Sequence, residues 1–207
     1  MATTWLTIQS QLDWLLEEPV ASGKLEWPLA SRVDAWNMAQ RSFTAHTSRE
    51  SSVSLPVQAS LCQLPTDFFV LATLFSGQDE LKTGRGLDYR LWDGRLCFSG
   101  SGIPSQVEMT YYAYWPSVLY ELDASGVASV TAGEIHVPAW AELPLIHFTI
   151  SILMVPKAVQ SAMNREYNIK IDSGGPDDNA RRTQAREHLW WYRELLKEHP
   201  VQARKGK

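Results

Sequence analysis

The chain has 207 residues, 44% hydrophobic and 20% charged, the balance of an ordinary globular protein able to bury a core. A formal net charge of −4 excludes a globally basic surface of the nucleic-acid-binding kind. Two distant cysteines, Cys62 and Cys97, match no zinc or redox spacing and read as buried free thiols of a reducing cytoplasm.

The opening Met1-Ala2-Thr3-Thr4-Trp5 lacks the charged and then apolar regions of a signal peptide. Trp5, Ile8, Leu12, Leu15 and Leu16 then recur at helical spacing and predict a helix over 5–17. After a loop containing Gly23, a second helix is predicted over 28–47. Pro28 suits its first turn, and Leu29, Val33, Trp36, Ala39 and Phe43 form its apolar stripe, with Asn37, Gln40 and Arg41 on the wetter side. Residues 51–64 alternate small polar and apolar side chains around Pro56, as an edge strand does. Leu64-Pro65-Thr66-Asp67-Phe68-Phe69 leads into either a short helix or a buried strand, which periodicity alone does not decide.

Residues 87–98 read as a hairpin turning at Asp93-Gly94, and 107–114 as a strand with Val107, Met109, Tyr111 and Ala113 on one face. A short strand is expected near Ile135–Val137. Pro138 reopens a helical pattern that is apolar nearly all round from Trp140 to Val155, and Pro156 is expected to kink or divide that helix. The most apolar window, 143–155, is too short to cross a bilayer and contains Pro144 and His147. A polar loop over 172–179 precedes a last helix over 179–198.

From Asn179 onward eight Lys or Arg face three Glu, so this segment carries +5; with −4 overall, the remainder carries −9. A basic arm on an acidic body is an asymmetry that points either to a partner or to a solvated helix with a frayed tail. The nine tryptophans read as core anchors or as interface anchors. Helices at both ends and a β-rich middle predict an α+β fold. The expected form is a helical bundle of the N- and C-terminal segments, a central β-rich insertion, and an extended C-terminal helix and tail. As one domain, residues 1–50 and 138–185 would form the helical core, 51–137 the insertion and 186–207 the basic arm.

No catalytic signature stands out, and no catalytic residue, metal or cofactor is expected. His136 and His147 are not in a zinc-protease arrangement, and Ser99-Gly100-Ser101-Gly102 reads as a turn between strands rather than a nucleophile elbow. Gly84-Arg85-Gly86 lacks the third glycine of a dinucleotide fingerprint. The carboxylates of 172–179 lack the register of a calcium loop and suit a helix cap.

The order of segments resembles the head–tail adaptor (connector) family of tailed bacteriophages. The pieces that carry the resemblance are Arg32-Val33-Asp34-Ala35-Trp36-Asn37-Met38-Ala39, Leu64-Pro65-Thr66-Asp67-Phe68 and the strand Val107-Glu108-Met109-Thr110-Tyr111-Tyr112-Ala113-Tyr114-Trp115-Pro116. Val137-Pro138-Ala139-Trp140-Ala141-Glu142 opens the hydrophobic helix, and a basic helix closes the chain. The resemblance implies a non-enzymatic virion protein, located at the head–tail neck and held in the host cytoplasm during assembly. It implies a dodecameric ring beneath the portal, in contact with tail or neck proteins, through which DNA passes without sequence-specific binding and with no membrane partner. Its C-terminal segment would dock on the portal through Trp190, Trp191, Arg193, Leu195, Leu196, Lys197, Val201 and Arg204, and would become ordered on binding. Since neighbours on a helix point about 100° apart, Trp190 and Trp191 cannot both face one core. The competing classes are another virion subunit for tail completion or decoration, a small hydrolase with a dispersed site, and a nucleic-acid module using the basic arm.

Overall fold

A computed structural model describes residues 3–17, 27–82, 87–169 and 180–199. The chain divides into two units, one built from Met1–Phe43 and Pro116–Val201 and the other from Thr44–Trp115.

The first unit holds four helices, α1 (Trp5–Leu16), α2 (Leu29–Phe43), α3 (Ala139–Ile169) and α4 (Ala180–Lys197). It also holds β1 (Thr3–Thr4) paired antiparallel with β11 (Glu134–Ile135), and the hairpin β9 (Leu119–Leu122) with β10 (Ala128–Ala132). The predicted stripes are the buried ones: Trp5, Ile8 and Leu12 on α1, and Val33, Trp36, Ala39 and Phe43 on α2. Trp5 meets Trp36 edge to face at 6.3 Å, and Phe43 meets Trp140 at 5.6 Å. The Trp5 amide donates to the Gly133 carbonyl at 2.6 Å, and a Cβ at position 133 would lie 3.0 Å from Trp5 Cβ and 3.1 Å from Val130 Cγ1, so a larger residue there would press both neighbours aside.

The polar side of α2 is only partly left to water: Arg41 is exposed as expected, whereas Asn37 and Gln40 turn to backbone groups. Asn37 donates through Nδ2 to the Val118 carbonyl and accepts from its amide, each at 2.9 Å. Gln40, only 2% exposed, donates to the Pro116 carbonyl at 3.0 Å. Arg32 is fully buried. It donates through Nε to the Trp27 carbonyl at 2.7 Å and through Nη1 to the Asp13 carboxylate.

The second unit is a small β-sandwich. One sheet has the order β2-β8-β4-β5, with β2 at Arg49–Pro56, β8 at Gln106–Ala113, β4 at Phe68–Ser76 and β5 at Asp79–Glu80. The other has the order β3-β7-β6, with β3 at Leu61–Gln63, β7 at Arg95–Gly100 and β6 at Leu87–Trp92. The expected alternation on β8 holds: Val107, Met109, Tyr111 and Ala113 point into the core beside Cys62, Leu74, Leu96 and Phe98. The hairpin β6–β7 turns at Asp93-Gly94, both at positive φ (47° and 66°), as a two-residue turn that follows strand twist requires. Residues 64–69 resolve as a turn leading into β4. Both cysteines are free thiols, but Cys97 is only partly buried.

A helical bundle carrying a strand insertion is therefore not the architecture. The fold is a mixed α+β one, with four helices and four small antiparallel sheets among the described residues. Two of those sheets belong to the helical unit, whose interior takes Val118, Ile135 and Val137 from strand and loop segments. There the side chains of α2 satisfy backbone groups of the 116–118 segment and so tie this non-helical stretch to the helices. Nor is α3 divided at Pro156. A mid-helix proline removes one backbone hydrogen bond and crowds the preceding turn, but a helix buried over Leu145, Ile146, Ile150, Leu153 and Met154 tolerates the loss.

Candidate docking surface

The C-terminal helix is where the sequence placed the site. It is not an extended arm: α4 lies antiparallel along α3. Trp140 of α3 stacks on His199 just past the end of α4 at 4.1 Å, while Phe148 stacks on Tyr192 at 4.5 Å, so positions rise on α3 as they fall on α4. Ala185 is buried on the same face. His147 and His188 meet through their Nδ1 atoms at 2.8 Å. Burial first, and the neighbouring His188 second, lower the His147 pKa to about 4; burial lowers that of His188 as well. Both rings are thus neutral near pH 7, and one Nδ1 donates while the other accepts.

The remaining circumference of α4 carries distinct stripes at helical spacing. Trp191 and Leu195 face a groove of 480 Å³ that Gln11, Trp14 and Leu15 of α1 and Leu143 and His147 of α3 complete. Three helices therefore build one concave apolar surface, and Trp14 remains 78% exposed in it. On the opposite flank Arg186, Trp190, Arg193 and Lys197 form an exposed line at i, i+4, i+7 and i+11. Glu187, Glu194 and Glu198 run between the two stripes, and Lys197 pairs with Glu194 at 2.6 Å.

The predicted docking residues thus divide among faces. Trp191 and Leu195 line the groove; Trp190, Arg193 and Lys197 share the basic stripe; Leu196 is half-buried on the inner side. Val201 and Arg204 lie outside the described residues, as do the 172–179 loop and Gly84-Arg85-Gly86. Neither Trp190 nor Trp191 faces a core: they are 53% and 48% exposed. Sequence reasoning missed Trp14, Leu143 and His147 as parts of the same surface. Trp14 carried one usable signal, since it sits off the buried Trp5–Ile8–Leu12 stripe of its own helix.

In the second unit two of the sequence motifs converge. Asp67 of the Leu-Pro-Thr-Asp-Phe turn accepts from Tyr111 Oη at 2.9 Å and from Arg49 Nη2 at 2.8 Å, and Phe68 stacks on Tyr111 at 5.8 Å. The Asp67 carbonyl also accepts from the Tyr114 amide at 2.7 Å. This arrangement staples a turn to the central strand of a sheet. Ser99 to Gly102 is the end of β7 and a turn, with Gly100 and Gly102 at positive φ.

Among the described residues no three His, Cys, Asp or Glu side chains come together as a metal would need, and no helix is long and apolar enough to cross a membrane. A second cleft, of 420 Å³, is lined by Trp5, Gln9, Val130 and Glu134 among others. Compared with known protein families and with curated proteins, the chain matches none.

Proposed function

We propose that the chain is a non-enzymatic structural subunit of a tailed-bacteriophage virion, a head–tail adaptor that forms a ring beneath the portal and continues the DNA channel toward the tail. The order of sequence segments supports the family. The observation that carries the docking part is the groove built by α1, α3 and α4, with Trp14, Leu143 and Trp191 held open to solvent. Exposed tryptophans around a preformed concavity are the usual anchors of a protein interface, each able to contribute about 2 kcal/mol or more. A groove assembled from three packed helices binds with little ordering cost, so the portal meets a finished surface rather than a loose arm.

The test is native mass analysis of the full chain co-expressed with the portal protein of the same virus. A discrete particle of portal plus many copies is expected. Trp14→Ala with Trp191→Ala should weaken capture roughly thirtyfold or more while thermal stability holds, because both side chains are exposed. No complex at low and moderate salt would overturn the portal assignment and favour a tail-side or capsid partner. Deleting residues 186–207 is a poor substitute, because it strips Tyr192 from Phe148 and His199 from Trp140.

A further inference from the structure

We infer that the basic stripe of α4 docks on the β9–β10 hairpin of a second copy of the chain. The two surfaces complement each other in charge and in apolar content. The stripe sets Trp190, 53% exposed, among Arg186, Arg193 and Lys197. Arg186 and Arg193 pair with no carboxylate among the described residues, and only Lys197 is engaged, with Glu194.

The hairpin presents the opposite pattern. Leu119, Glu121 and Leu122 of β9 are exposed, while the half-buried Tyr120 donates to Asp34 of α2 at 3.1 Å. Asp123 follows the strand as an exposed carboxylate folded onto its own turn, accepting from Ser125 and, at 2.9 Å, from the amide of Val127, which lies across from it. Leu119 and Val127 are 56% and 62% exposed, an unusual apolar load for a hairpin tip. Asp123 is held ionised by hydrogen bonds from the Ser125 hydroxyl and the Val127 and Ser125 amides, which lower its pKa. Among the described residues β9 and β10 pair only with each other, so each leaves a free edge beside these side chains.

The hairpin is anchored on α2 and the stripe lies on α4, which packs on α3, so the contact joins two different patches. Such a heterologous contact propagates from copy to copy and generates a ring or a chain rather than a closed dimer. The inference deepens the ring of the proposed function, but it uses the flank of α4 opposite the portal groove. Portal capture can fail while this contact stands, and the reverse.

The test uses the full-length chain alone, with Glu121→Lys and Arg193→Glu as separate variants, both at exposed positions. Sedimentation over a wide concentration range should show the unaltered chain associating beyond a dimer, and each variant alone associating roughly tenfold or more weakly. Mixing the two variants should restore association, because the lysine introduced at position 121 of one copy then meets the glutamate introduced at position 193 of the next, while the other junctions keep their original charges. Trp190→Ala should weaken association without altering the melting temperature. A chain that stays monomeric throughout, single variants that associate unchanged, or a mixture that fails to recover would each overturn the inference.

Discussion

Acidification should loosen the seam between α3 and α4, and the magnitude follows from the His147–His188 pair. Both rings are partly buried, and their Nδ1 atoms lie 2.8 Å apart, an arrangement that holds at most one added proton comfortably. The folded pKa of His147 is about 4 against an ordinary 6.5. Because the folded value is the lower one, the unfolded chain binds the extra proton first. Stability is therefore intact above pH 6.5, falls as pH drops below it, and stops falling near pH 4. Taken at face value, the full span is worth about 3.4 kcal/mol at about 1.36 kcal/mol per pKa unit. The ring keeps access to solvent, which screens the interaction, so about 1 kcal/mol is expected between about pH 7.5 and pH 5. His188 adds to the loss in the same direction, since burial lowers its pKa too. Urea denaturation of the unaltered chain and of His147→Asn with His188→Gln at these two pH values isolates the effect, because carboxylate contributions are common to both proteins. A smaller acid loss in the variant is expected. Equal loss in the two would refute the assignment of the pair as neutral.

Two further outcomes probe the scaffold. Asp13→Asn should destabilise the protein by about 2–3 kcal/mol in urea denaturation, because it removes the negative charge that Asp13 sets against the buried Arg32 guanidinium; a loss below about 0.5 kcal/mol would show that the pair is dispensable. In the tight turn between Gln58 and Leu61, Ala59 and Ser60 both sit at positive φ (49° and 64°), a region that costs an ordinary residue about 1–2 kcal/mol. Replacing them together by Asn-Gly should raise stability by about 1 kcal/mol and the melting temperature with it, and an unchanged melt would rule out strain at this turn.

Local signals were legible wherever a side-chain period or a turn residue acts on its neighbours. The buried stripes of α1 and α2, the inward face of β8 and the Asp93-Gly94 hairpin could all be read from spacing, because helix and strand geometry dictate which positions share a face. Pairing between distant segments was not legible. The β1–β11 ladder has two residues on each side, and the β9–β10 hairpin lies in a stretch whose apolar residues point outward, so neither leaves a burial pattern to read. The inward turn of Gln40 depended on a carbonyl at Pro116, far along the chain.

The candidate surface divides in the same way. By itself the sequence determined that the C-terminal helix is basic, rich in tryptophan and unable to bury Trp190 and Trp191 together, since charge and the helical step of about 100° are local properties. Only the tertiary structure decided that this helix lies on α3, that Trp191 joins Trp14 and Leu143 in one groove, and that Trp190 belongs to a separate basic stripe. A groove is a relation among helices far apart in the chain, and it comes into being when the Phe148–Tyr192 and Trp140–His199 stacks fix which face of α4 turns inward.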